Sequence, residues 1–221
     1  MRIGILGGTG PAGKALAARL AASGMEVVIG SRQRERAEEV ATALVGRWEG
    51  RPLALEGAEN AEAAAADLVV VATPWDGAAP TAASFASTLA GKVVVSMANA
   101  LAKVGDELQP LVPPRGSVAA AVQQAAPAAL VAGAFHHIPA RGLANLDEPL
   151  DADVLVCSDS DEALVATIDL VNRVAGLRGV AAGSLSNAAA IEAFTAVLVN
   201  INITHRVHSS IRLTGLGEGR R

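Results

Sequence analysis

The stretch RIGILGGTGPAGKALAARLAASG, residues 2–24, decides the fold. RIGIL is a short apolar run of strand type. From Pro11 the period changes: Leu16 and Leu20 lie one helical turn apart, and Gly24 is a helix stop signal. Between the two, Gly8, Gly10 and Gly13 spell G-x-G-x-x-G. Such a triplet says little by itself, since glycine is common. Here it leaves a strand within two residues and opens a helix, which is the context the motif needs. Gly8 permits the tight turn, Gly10 lets a pyrophosphate approach the backbone, and Gly13 lets helix and strand pack closely. The N–H groups at the helix start, aligned with its dipole, favour an anion. Pro11 suits the first helical turn, where its missing N–H costs little.

Outward from this unit, strand-like and helical runs alternate. EVVIG (26–30), PLALEG (52–57), DLVVVATP (67–74), KVVVS (92–96) and ALVAGAF (129–135) read as strands, and 34–46, 58–66, 76–90 and 117–126 as the helices between them. Runs of Val, Ile and Leu joined by helices point to a parallel sheet covered on both faces. After a polar segment (141–153), DVLVCSD and RGVAAG frame a further helix, and a long helical pattern closes at 185–209. The expected class is α/β: a doubly wound, Rossmann-type, mostly parallel sheet in a dinucleotide-binding domain over 1–140. A smaller C-terminal portion over 141–221 would carry a β-α-β unit and the final helix. That helix is apolar on most sides and is expected to be buried, which suggests a homodimer.

Composition narrows the function. The 221 residues are 51% hydrophobic but only 2% aromatic, with no tyrosine, so the core must be built from Ala, Val, Leu and Ile. Against 22 Asp+Glu there are 18 Lys+Arg. This balance argues against a basic nucleic-acid groove, and the scarcity of aromatics against base stacking. The one cysteine, Cys157, excludes a disulfide framework and reads, inside DVLVCSD, as a buried small hydrophobe rather than a nucleophile. MRIGIL enters the ordered motif at once, so no signal peptide is expected. The longest apolar stretch, 117–135, is interrupted by Gln123, Gln124 and Pro127 and reads as helix, turn and strand rather than a membrane span. A cytoplasmic location follows as the expectation.

The end of the second strand, VVIGSRQRER (27–36), selects the dinucleotide. An NAD site would place a carboxylate here to grip the ribose 2′-OH. Instead Gly30, Ser31 and Arg32 occupy the position, and Glu26 stands at the far end of the strand. Ser31 can hydrogen-bond a 2′-phosphate, Arg32 can cover the adenine and pair with the phosphate, and Arg36 brings a second guanidinium. NADP is therefore the expected cofactor.

With the glycine loop, GSR and TPW in place, the chain resembles the NADPH-dependent reductases of the deazaflavin coenzyme F420. The resemblance runs nearly full length, through GILGGTGPAGKALAARLAASGMEVVIGSR, VVVATPW (69–75), VVVSMANAL (93–101), FHHIPARGLANLD (135–147), DVLVCSDSDEA (153–163), GLRGVAAGSLSNAAAIEAFTAVLVNIN (176–202) and TGLGEG (214–219). It implies that Thr9, Gly10, Pro11 and Ala12 form the pyrophosphate loop and that Ser31, Arg32 and Arg36 clamp the 2′-phosphate. Pro74 and Trp75, at the end of the fourth strand, would stand beside the cofactor. Ala100 and Leu101 would lie near the nicotinamide ribose, and His136 to Ala140 would floor the place where two rings meet. Met97, Asn99, His136, His137, Ile138 and Pro139 are the candidate deazaflavin contacts. Ser186 and Asn187 join them, although helix N-capping explains those two well.

The implied reaction moves a hydride between nicotinamide and deazaflavin, with the protein stacking the rings and excluding water. His136 and His137 are the candidate catalytic residues, as proton donor, orienter or stabiliser of charge on the deazaflavin carbonyl region. His205 and His208, three apart on a helix, have no acidic or cysteine partner at metal spacing, so no metal is expected. The carboxylates of DSDE (159–162) read as helix capping. Two other readings fit the cofactor half of the site: an NADP-dependent reductase of another small substrate, such as a flavin, carbonyl or imine, and a non-catalytic NADP sensor. The absence of tyrosine removes one common proton donor from the first. The SMANAL and HHIPA segments, which offer a second ring pocket, are superfluous for the second.

Overall fold

The computed structural model describes residues 1–216. From Gly217 the TGLGEG segment lies outside the described residues. The chain opens with β1 (Arg2–Leu6), α1 (Pro11–Ala22), β2 (Glu26–Ser31), α2 (Arg34–Arg47), β3 (Leu55–Glu59), α3 (Asn60–Ala64) and β4 (Leu68–Val71). It continues through α4 (Trp75–Ser84), α5 (Ala86–Leu89), β5 (Val93–Ser96), β6 (Leu101–Val104), β7 (Glu107–Pro110), α6 (Val118–Ala125) and β8 (Leu130–Gly133). It ends with α7 (Ala140–Ala144), β9 (Ala152–Ser158), α8 (Asp161–Asn172), β10 (Leu177–Ala181) and α9 (Ala188–His205). The main sheet has the order β10-β9-β8-β5-β4-β1-β2-β3. All its neighbours run parallel except β8 and β9. This is the expected doubly wound arrangement, and β9 and β10 of the C-terminal portion extend the same sheet.

The two faces follow from the period of two along each strand. Ile3, Ile5, Val27, Ile29, Val70 and Val95 point to the side covered by α1. Leu6, Val28, Val69, Val71 and Val94 point to the other. Both sets are fully or almost fully buried, each large side chain stabilising by roughly 1.5–3 kcal/mol. The core is aliphatic and alanine-rich, as the composition demands.

Three departures from the sequence reading matter for the site. The weak third strand lies later than its apolar letters suggest, at Leu55–Glu59, because it follows the register of β2, with Ser31 opposite Glu59. The residues from Leu101 on, which carry no secondary-structure assignment from the sequence, form the antiparallel hairpin β6–β7. It is held at a distance: the Asn200 side chain accepts from Leu108 N at 2.8 Å and donates to Leu108 O at 2.8 Å. Finally, α9 is not wrapped by its own chain. Ile191, Glu192, Thr195 and Leu198 are buried, while Phe194, Val197, Ile201 and Ile203 are exposed.

Candidate active site

Functional side chains collect at the C-terminal edge of the parallel strands. The glycine loop comes first. Gly8 N donates to Ile5 O at 3.1 Å and Gly30 O at 2.9 Å, tying the loop to the ends of β1 and β2. A Cβ on Gly13 would stand 2.8 Å from Gly8 Cα, so helix and loop pack backbone to backbone. A Cβ on Gly10 would meet only Gly7 O, at 3.7 Å, so the loop's outer face is open. Lys14 N makes the first bond of α1, to Gly10 O, and no side chain caps the helix. The N–H groups of Ala12 and Gly13 are therefore left for an external acceptor.

This loop forms one wall of a cavity of about 930 Å³, with Thr9, Ser31, Arg32, Arg36, Asn60, Thr73, Pro74 and the first turns of α4 around it. Ser31 Oγ accepts from Gln33 N at 3.2 Å, leaving its own proton to donate outward. The three arginines of SRQRER are not equivalent. Arg34 pairs with Glu62 and, at 4.0 Å, with Glu38. Among the described residues Arg32 and Arg36 have no ion-pair partner, and both line the cavity.

Among the cavity residues that the sequence reading did not single out, Asn60 and Thr73 shape the glycine loop. Asn60 Oδ1 accepts from Gly7 N at 3.1 Å, fixing the loop where Gly7 takes φ +68°. Thr73 packs its methyl against Gly7, while its Oγ1 is buried without a hydrogen-bond partner among the described residues. The available signal was position: polar residues directly after buried strands of an open α/β sheet stand where such sheets bind ligands. Trp75 begins α4 rather than ending β4, which stops at Val71; it is partly exposed and does not line the cavity.

Further along the edge, past β5 and β8, lies a second cluster. Met97, Ala98 and Ala100 are buried after β5, and Leu101 starts the hairpin. Asn99 Nδ2 donates to His136 O at 2.8 Å, joining the two segments. Phe135 turns the chain out of β8 at φ +63°, a left-handed conformation costly for a bulky residue and held here by complete burial of the ring. His136, His137 and Ile138 are buried behind it. Pro139 caps α7 and Ala140 is its first residue.

The histidines are held neutral. Burial pushes His136 down to about 3, helped by His137 beside it, and burial pushes His137 down to about 4. His137 Nε2 accepts from Leu155 N at 3.2 Å, which assigns the proton to Nδ1. The His137 carbonyl lies near its own ring, and the Met97 and Ala98 carbonyls near the His136 ring, but none meets hydrogen-bond geometry. Ser96 Oγ, Asn99 Oδ1, both His136 nitrogens and His137 Nδ1 are thus buried polar atoms without partners among the described residues. Orphans of this kind are rare and costly, and grouped at strand ends they point to a polar ligand.

The remaining candidates fall elsewhere. Ser186 and Asn187 are exposed in the turn before α9. Asn187 occupies the N-cap position without capping; its Nδ2 donates to Ala182 O at 2.6 Å. In DSDE the cap is Ser160, whose Oγ accepts from Ala163 N, while Asp159 accepts from Leu185 N. Cys157 is fully buried in β9, and burial pushes its thiol up to about 11, which suits packing and not nucleophilic attack. Among the described residues no cluster of histidine, cysteine and acidic side chains could hold a metal ion.

Comparisons with known proteins give the family. The family model for the NADP oxidoreductase, coenzyme F420-dependent, matches residues 2–100. An F420-dependent NADP reductase of Methanocaldococcus jannaschii is 38% identical over 222 residues, covering 98% of this chain and 99% of the relative. One of Methanothermobacter thermautotrophicus is 37% identical over 224 residues, covering 99% and 97%. The crystal structure of a provisionally named F420-dependent NADP reductase from Arthrobacter sp. FB24 superposes with a TM-score of 0.79 at 25% identity, covering 96% of this chain and all of that one. With relatives this similar over almost their whole length, the chain belongs to the coenzyme F420-dependent NADP oxidoreductase family.

Proposed function

We propose that the protein transfers a hydride reversibly between NADP(H) and coenzyme F420. The observation that carries the reading is the order of groups along the sheet edge. In strand order β2, β1, β4, β5, β8 stand the arginine clamp, the glycine loop, Thr73–Pro74, Ser96–Asn99 and His136–His137. Four inter-strand steps, roughly 19 Å, lead from a phosphate clamp to a floor of unpartnered polar atoms. An NADP-binding protein alone would not need that floor.

Thr9, Gly10, Pro11 and Ala12 hold the pyrophosphate through the open loop and the uncapped start of α1. Ser31, Arg32 and Arg36 hold the 2′-phosphate. Pro74 flanks the dinucleotide, with Trp75 outside the cavity at the start of α4, and Ala100, Leu101 and Ala140 border its nicotinamide ribose. Met97, Asn99, His136, His137, Ile138 and Pro139 receive the deazaflavin; Ser186 and Asn187, exposed in the turn before α9, are not assigned to it. The chemistry supplied when both are bound is hydride transfer between nicotinamide C4 and deazaflavin C5. The protein contributes orientation and a dry floor. Because both histidines stay neutral, they serve as hydrogen-bond donors rather than charged acids. His137 Nδ1–H is set to donate to an acceptor on the deazaflavin ring.

Residues 1–140 form the NADP-binding domain and 141–221 the smaller C-terminal portion. Phe194, Val197 and Ile201 make an apolar stripe at helical spacing on α9, and we assign it to the contact of a homodimer. A single, buried cysteine suits a cytoplasmic enzyme. Mixing the protein with NADPH and oxidised coenzyme F420 should bleach the deazaflavin's visible absorbance, with NADH a poor substitute. Absence of bleaching alongside NADPH-driven turnover of another acceptor overturns the reading.

A further inference from the structure

We propose that Asp153 is a positioning residue. Its carboxylate clasps the C-terminal segment 208–216 as a strap, and the strap holds the His137 ring in place. The inference rests on the deazaflavin-side reading of His137 given above.

The argument begins with a vacated ladder. β8 pairs with β9 only at Ala132 opposite Ser158 and Gly133 opposite Cys157. After Gly133 the chain turns away at Phe135, so the N–H groups of Leu155 and Asp153, on the same edge of β9, lose their strand partner. Both are nonetheless satisfied. Leu155 N donates to the His137 ring at 3.2 Å, and Asp153 N donates to Ile211 O at 2.8 Å. Two residues of strand are roughly 7 Å. The imidazole and the tail backbone therefore take successive N–H groups on one edge of β9, and together they replace the missing part of β8.

The tail is fastened most densely at that point. Asp153 is fully buried, covered by arginines. It receives Arg178 Nε and Nη2 at 2.7 Å each, Arg212 Nη1 at 2.9 Å and Leu213 N at 2.6 Å. Arg178 also donates to Leu213 O at 3.0 Å, and Arg212 Nε pairs with Asp151 at 2.8 Å. Asn202, near the end of α9, accepts from Ser209 N and fixes the strap's other end. These guanidiniums hold the Asp153 carboxyl well below the usual carboxylate range, so the clasp stays charged across the pH range in which enzymes work. A bidentate arginine pair gives direction as well as attraction. The strap is thereby registered against β9 beside His137, whose Nδ1–H must be aimed if it is to serve the substrate.

Asp153→Asn is the direct test, but leaving guanidiniums without their counter-charge can prevent folding. Arg212→Ala loosens the strap and a chain ending at Ser209 removes it, both with Asp153 and Arg178 in place. Each should raise KM for coenzyme F420 about tenfold while KM for NADPH stays put. The second readout is the imidazole 15N spectrum, tractable with four histidines in the chain. In the parent protein His137 should show a protonated Nδ1 and an unprotonated, hydrogen-bonded Nε2; in both variants this signature should give way to tautomer averaging. An unchanged His137 spectrum in the chain ending at Ser209 overturns the proposal. A changed spectrum with an unchanged KM for coenzyme F420 upholds the clasp and removes His137 from the deazaflavin site.

Discussion

Arg32→Ala separates the 2′-phosphate clamp from mere surface charge. Three arginines lie within five residues, and a generic basic patch would use all of them alike. The structure divides them: Arg34 is committed to Glu62 and Glu38, while Arg32 and Arg36 face the cavity beside Ser31 without an acidic partner among the described residues. A charge-assisted hydrogen bond contributes roughly 1.5–3 kcal/mol. Arg32 is exposed, so water and salt screen it toward the lower part of that range. A loss of about 2 kcal/mol corresponds to roughly thirtyfold in NADPH affinity. NADH lacks the phosphate, and its affinity should be nearly unchanged. Arg34→Gln is the internal control and should leave the NADPH-to-NADH ratio where it was. Fluorescence titration of both nucleotides at two salt concentrations measures this, with the salt dependence of NADPH binding flatter in the Arg32 variant. Equal losses for NADPH and NADH, or an equal effect from Arg34, would refute the clamp.

Two further substitutions probe the frame of the site. Gly13→Ala forces a Cβ to within 2.8 Å of Gly8 Cα, backbone that cannot rotate away. It should cost about 1–3 kcal/mol, lowering Tm and weakening both nucleotides together; parent-like Tm and affinity would contradict the close packing. Glu192→Gln tests the buried carboxylate on α9, whose oxygens accept from Val118 N and Ala119 N at the start of α6. Burial pushes this acid up to about 7, so its contribution to stability is complete below the unfolded value near 4.5 and is lost as pH rises through 7. Relative to the Gln variant, the parent should lose about 3 kcal/mol over that whole window. Denaturant titrations at pH 5 and pH 8 check it, and a difference that does not change with pH would be evidence against the shift.

What could be read from the sequence was what the chain decides locally. The strand, glycine loop and helix over 2–24 are dictated by neighbours a few residues apart, and the valine runs announce buried strands whichever strand they pair with. The clamp was legible as a cluster, because SRQRER follows β2 directly. Its internal division was not, since Arg34 is set apart by Glu62, 28 residues away and brought near only by the pairing of β2 with β3. The hairpin was missed for the same physical reason. LAKVGDELQP has no long apolar run, and its strands are held by Asn200, 92 residues on.

The second half of the site extends this logic. The sequence marks His136 and His137 as two adjacent imidazoles and cannot tell them apart. Their difference lies in what the sheet leaves behind: one ring reaches the abandoned Leu155 N–H and acquires a fixed tautomer, and the other meets no hydrogen-bond partner among the described residues. That abandoned N–H exists because β9 runs antiparallel to β8 and outlasts it. A fact of topology thus sets the chemistry of a side chain, and it separates the expectation that a histidine acts here from the sharper statement of which nitrogen carries the proton.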